Sequence, residues 1–232
     1  MSIHRFRTPQ SLLVVCALVT LSGCHSFLGY RGWPFPERER TSFHTPAMRI
    51  DTIRQFAGRA DGTDSAEQRE LTDQLARQIQ IEPDPLVRTA IIGAAAEFRT
   101  PLGQQILEAG LNDADQAVRV ACCQALGRRA ETRSVASLSR ALGDDKEIDV
   151  RLAAAEALGA MNSPESMAAL VIALDDRDPA LQYVGVQSMK SITGQDYGGD
   201  VAKWRQVATG GAPPAAPETP SIAERIRRAS PF

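Results

Sequence analysis

Histidine is nearly missing from this chain. Three occur in 232 residues, His4, His25 and His44, all ahead of the first sustained helical pattern. A histidine-ligated metal, or a Ser-His-Asp or Cys-His relay, therefore has no place in the main body. The glycine-rich phosphate and dinucleotide motifs are absent as well. There is no Asn-Gly hairpin and no sustained alternation of β-branched residues, which argues against a sheet. Aromatics number twelve, and five of them crowd between Phe27 and Phe43. Cysteines number four, at 16, 24, 122 and 123. The adjacent pair on a helix points about 100° apart and forms no easy disulfide, so the chain is not a disulfide scaffold. The longest apolar run, Leu12 to Leu21, has ten residues, half of the roughly 20 that a bilayer requires.

That short run has a different meaning. Arg5 and Arg7 precede it and Leu21-Ser22-Gly23-Cys24 ends it. A basic start, an apolar centre and small residues before a cut mark a signal peptide over residues 1–23. With cysteine after the cut, the segment resembles a bacterial lipoprotein signal. The resemblance implies that Cys24 becomes the acylated N-terminus, each buried CH2 adding about 0.8 kcal/mol to membrane attachment. His25, a residue other than aspartate after the cysteine, implies an outer-membrane destination facing the periplasm. Without residues 1–23 the chain holds 24 Lys and Arg against 28 acids, a formal charge of −4. That balance argues against nucleic-acid partners, which call for a basic surface.

Residues 24–45 carry Gly29, Gly32, Pro34 and Pro36 without helical period and read as a tether. Its rings Phe27, Tyr30, Trp33, Phe35 and Phe43 suit a membrane interface, or a docking peptide around Trp33-Pro34-Phe35-Pro36. A first helix is expected after Thr45, with Pro46 at its first position. Met48, Ile50, Ile53 and Phe56 are expected to line one face, and Gly58 and Gly62 to close it. Ser65 opens a second helix with Leu71, Leu75 and Ile79 at steps of four.

From there the chain repeats. A Val/Leu-led pair recurs as Val87-Arg88, Val118-Arg119, Val150-Arg151 and Leu181-Gln182, at steps of 31, 32 and 31. Leucine pairs lead it: Leu107 and Leu111, Leu138 and Leu142, Leu170 and Leu174. Alanine-rich stretches follow it, Ala94 to Ala96 and Ala153 to Ala155 among them. A fixed period of this length means a solenoid, in which no repeat can bury its apolar face alone. Each unit reads as a helix A, an acidic loop and a helix B. Asp84, Asp115 and Asp178 stand at the starts of B-helices, and Gly127, Gly159 and Gly194 at their ends. Asp200 is expected to cap a last short helix, with Val201 and Trp204 over the open end of the core. Residues 209–221 are rich in Gly, Ala and Pro and are expected to be disordered. Ile222 to Ala229, with Arg225, Arg227 and Arg228, is a short basic helix candidate.

The motif Asp-x-x-Val-Arg before an alanine-rich helix resembles the HEAT repeat, in its short-period PBS-lyase-like subtype. Asp115-Gln116-Ala117-Val118-Arg119 and Asp84-Pro85-Leu86-Val87-Arg88 fit every position. Glu147-Ile148-Asp149-Val150-Arg151 begins with glutamate, and Asp178-Pro179-Ala180-Leu181-Gln182 lacks the arginine. Gly194-Gln195-Asp196-Tyr197-Gly198 with Trp204 behind it is similar to the end of HEAT-repeat lipoproteins of planctomycete-like bacteria. The resemblance implies an all-α fold, a right-handed α-solenoid of four repeats over about 65–193. N- and C-terminal capping helices extend it to 46–207, followed by a Pro/Ala-rich tail over 208–232. It also implies that Asp84, Arg88, Asp115, Arg119, Glu147, Arg151 and Asp178 form a structural ladder between neighbouring repeats. Cys122 and Cys123 fall in small apolar slots, as core residues.

Such a chain is expected to bind a protein or peptide on a concave face lined by the B-helices. Anchored through Cys24, it would act as an envelope adaptor without cofactor or metal. The alternative is an envelope protein that packs without a discrete ligand. Two repeat relatives are enzymes, a deoxyhypusine hydroxylase and the phycobilisome chromophore lyases. The hydroxylase holds metal through His-Glu pairs, and this chain has none. An exported lipoprotein is in the wrong compartment for the lyase.

Overall fold

The computed structural model describes residues 45–211 and Arg227. The signal, Cys24, the aromatic tether through His44 and the remainder of the tail lie outside the described residues.

Helices follow one another with short connections, and the described residues contain no strand. They are α1 (Pro46–Ala57), α2 (Ala66–Ile81), α3 (Pro85–Glu97), α4 (Pro101–Gly110), α5 (Gln116–Arg129) and α6 (Val135–Asp144). Then come α7 (Ile148–Ala160), α8 (Pro164–Ala169), α9 (Val171–Asp175), α10 (Pro179–Thr193) and α11 (Val201–Ala208). The starts are written in local chemistry. Thr45, Ser65, Asp84, Thr100, Asp115, Ser163, Asp178 and Asp200 each accept a backbone N–H of the first turn. These bonds satisfy donors that a helix start leaves open. Proline follows the cap in α1, α3, α4, α8 and α10, where its missing N–H costs nothing.

The helices form two layers of an α-solenoid. Helices α1, α3, α5, α7 and α10 pack side by side as one continuous layer, the B layer. Helices α2, α4, α6, the α8–α9 pair and α11 cover it from the other side. The first helix is thus a B-layer member without an A partner ahead of it among the described residues. Ile53 is buried and Ile50 and Phe56 pack on the core, but Met48, expected on the same face, lies in the first turn and is exposed. The core runs between the layers without interruption. Val87, Val118, Val150 and Leu181 are its B side, and Leu107, Leu138, Leu142, Leu170 and Leu174 its A side, all essentially inaccessible. Neighbouring repeats share this core, so each needs the next.

Two glycines expected to end helices do something else. Gly127 and Gly159 lie inside α5 and α7 and are buried. A Cβ on Gly127 would stand 2.8 Å from the Ala157 Cα, and one on Gly159 2.6 Å from Ser188 side-chain atoms. Their role is close approach of successive B-helices; α5 ends instead at Ala130 in a left-handed conformation. Gly194, by contrast, does close α10, with φ of 66°.

At the far end α11 closes the A layer. Trp204 is fully buried, its indole N–H donates to the Gly198 carbonyl at 2.9 Å, and its ring meets Tyr197 edge-on at 5.0 Å. Arg205 ties α11 back to Asp175 and to the Leu174 carbonyl.

Candidate functional site

Helices α3, α5, α7 and α10 carry the Val/Leu-Arg/Gln pair in their first turn. Its first member enters the core, so the next residue is rotated by 100° to the edge of the stack. Arg88 reaches across to Asp113 with two bonds, Nε to Oδ2 at 2.8 Å and Nη2 to Oδ1 at 2.7 Å. Its Nη1 donates to the carbonyls of Glu82 and Pro83 in the loop before its own helix. Arg119 repeats the pattern one unit later. It bonds Asp145 at 2.7 and 2.9 Å and donates to the carbonyls of Asp113 and Ala114. Arg151 makes a single bond to Asp176 through Nη1, at 2.5 Å, and its buried Nε has no partner among the described residues. Gln182 ends the series, reaching only the Asp176 carbonyl at 2.8 Å.

Arg88 and Arg119 therefore join their own loops to the loop of the following repeat, whereas Arg151 reaches only the following one. A planar guanidinium suits this, because its donors point to a carboxylate and to carbonyls at once. The same arrangement starts earlier than the Val-Arg motif indicates: Arg49 on α1 makes two bonds to Glu82, at 3.1 and 3.0 Å.

The acids that receive the arginines are two residues ahead of those the motif singles out. Asp84, Asp115 and Asp178 are N-caps, accepting from Leu86, Ala117 and Ala180. Glu147 occupies the same position without a side-chain cap bond. The rungs are Glu82, Asp113, Asp145 and Asp176, again spaced by 31, 32 and 31 residues. Each also accepts the N–H two residues on, from Asp84, Asp115, Glu147 and Asp178. The motif acid is adjacent to its helix and close enough only to cap it. The upstream acid sits at the turn of the loop and faces the preceding repeat.

Burial would raise the Asp113 carboxyl, but bonds from Arg88 and the Asp115 N–H outweigh it and hold it below its ordinary value. Asp145 is held down in the same way by Arg119 and the Glu147 N–H. These arginines are committed to the stack and leave no row of free cations for a ligand. Cys122 and Cys123 are fully buried free thiols. Burial, and then the Asp145 charge, push the Cys123 thiol up to about 12, which removes it from nucleophilic chemistry at neutral pH. No cluster of three or more potential metal ligands occurs among the described residues.

The surface available for binding is the outer face of the B layer. Three positions per helix, spaced i, i+3, i+7, project from it and make three rows across the stack. The first is Leu86, Ala117, Asp149 and Ala180, all exposed. The second is Thr89, Val120 and Leu152, half-buried, and Tyr183, 64% exposed. The third is Gly93, Gln124, Glu156 and Gln187, all exposed. The strip is largely uncharged, with two acids and no cation, and Asp149 already accepts from Gln116 at 2.7 Å. Such a surface suits side chains of a protein or peptide better than phosphate.

Residues 105–190 match the family model for HEAT repeats, so over that span the chain is similar to this family. No curated protein matches the chain. HEAT repeats generally build scaffolds for protein–protein interaction and are typically not enzymes.

Proposed function

We propose that this chain is a lipid-anchored scaffold that holds a protein partner against the outer face of its B-helices, in a bacterial cell envelope. The observation that carries the reading is the three-row strip. It repeats across four helices with little charge and one prominent aromatic, Tyr183. The ladder arginines stand behind it and are spent on internal bonds. The anchor rests on Leu21-Ser22-Gly23-Cys24, and the PBS-lyase-like subtype on the short repeat period. Outer-membrane placement rests on His25.

The strip is tested by crosslinking in intact cells with the tagged protein and a Gln124→Lys/Glu156→Lys variant. Both positions are exposed, so the variant is expected to fold. One dominant crosslinked protein, lost in the variant, supports the scaffold. A diffuse pattern that the variant leaves unchanged contradicts it and favours an envelope protein without a discrete ligand. The anchor is tested separately by fractionating Cys24→Ala, which is expected to leave the membrane fraction; retention contradicts lipid attachment.

A further inference from the structure

Among the described residues the B layer stops at α10, yet the A layer goes one helix further. In α5 and α7 the flank towards the next B-helix is closed, by Gly127 against Ala157 and by Gly159 against Ser188. On α10 the equivalent flank is an open groove, with Val186 at its floor and Tyr183, Gln187 and Lys190 along one side. Gly199 and Val201, leading into α11, line the other. Lys190 replaces the close-packing glycine and is drawn aside onto Asp196 at 2.8 Å. Helix α11 packs on α9 and α10 as an A-helix would, held by Trp204 and Arg205. Among the described residues the last repeat has its A-helix and lacks a B-helix.

We propose that residues 222–229 of the same chain fill this groove as the missing B-helix. The reach is sufficient. The chain leaves α11 at Gly211, whose N–H is bonded to the Gln206 carbonyl. The ten residues 212–221 extend up to roughly 33 Å, and adjacent helix axes are about 8–10 Å apart. The pattern fits. Ile222, Ile226 and Ala229 fall on one helical face at i, i+4, i+7, and Ser221 with Glu224 forms a capping-box start. Arg227 is helical and exposed, and its position in the period is well off the isoleucine face. Charge fits as well. Residues 45–211 hold 18 Lys and Arg against 24 Asp and Glu. Asp178 and Asp200 are next in the chain to the lining residues Pro179 and Val201, while Asp196 is paired with Lys190. The segment brings Arg225, Arg227 and Arg228 against Glu224 alone. Tyr183 and Gln187 border both the groove and the strip, so a helix docked here would cover the last unit of the strip and leave its first three units open.

The test is hydrogen exchange on the full chain in detergent, compared with Ile226→Asp, at two protein concentrations. The expected result is amides of 222–229 exchanging at least about tenfold slower than an unstructured peptide. Ile226→Asp should abolish that protection and speed exchange over 183–190, with α3 to α7 unchanged. Unprotected 222–229 and an α10 indifferent to the variant would overturn the proposal. So would protection of α10 that rises with concentration, because a second copy would then occupy the groove.

Discussion

Arg119 and Asp145 face each other across a repeat boundary with both guanidinium–carboxylate bonds formed and side chains only 8% and 10% exposed. Neither end is spare: the arginine also holds the carbonyls of Asp113 and Ala114, and the aspartate also holds the Glu147 N–H. The pair fixes the angle at which one helical hairpin follows the next.

Removing one partner of such a pair leaves the other charge buried, at about 3–5 kcal/mol. Arg119→Ala is expected to cost that much in urea unfolding. Arg151→Ala is expected to cost less, because Arg151 makes one bond to Asp176 and its pair is about twice as exposed. Equal losses would show that the number of rung bonds does not govern stability.

The depressed ladder carboxylates Asp113 and Asp145 give the stack an acid limit. Asp113 and Asp145 have folded-state values below the ordinary one near 4. Their contribution is fully present above the unfolded value and is lost as pH falls through the folded one. Stability should therefore be flat from neutral to about pH 5 and fall below about pH 4. Asp145→Asn should be less stable at neutral pH and show a shallower fall. An unchanged acid slope in that variant would remove Asp145 from the explanation.

Two glycines of the B-helices should respond oppositely to alanine. Gly93 is exposed inside α3 and an added Cβ meets nothing within 4 Å. Gly93→Ala should stabilise by about 0.5–1 kcal/mol, the helix preference of alanine over glycine. Gly127→Ala would push a methyl onto the Ala157 backbone at 2.8 Å. Overpacking of about 1–3 kcal/mol should exceed the helix gain. Thermal melts of the two variants decide it, and a stabilising Gly127→Ala would mean that the α5–α7 contact yields freely.

The repeat, its two layers and its helix starts are legible in the sequence because each rests on local chemistry or on a period. Val118 and its equivalents recur in register, Asp115 and Pro179 mark helix starts, and Trp204 was identifiable as the terminal cover. Three features were harder to read, since each depends on how neighbouring helices pack. Asp113 and Asp115 are the same residue type two positions apart in one loop. Only the crossing of Arg88 from the previous unit separates rung from cap. Spacing does not separate them, because Glu82, Asp113, Asp145 and Asp176 and the positions two residues on share the same steps of 31, 32 and 31. Likewise Gly127 near a helix end reads as a terminator until Ala157 is seen against it. The exposed strip needed the packing too, because helical period alone does not separate the face towards the A layer from the face towards solvent in these alanine-rich helices.

The measurement that tests the continuous stack most directly is native-state hydrogen exchange of Leu138→Asp. Leu138 is fully buried on α6 between the layers, and a charge there without a partner costs several kcal/mol. Protection should fall together in α5, α6 and α7 and in the helices beyond them, because these repeats share one core and one ladder. A loss confined to α6, with α5 and α7 protected as before, would contradict a single cooperative solenoid.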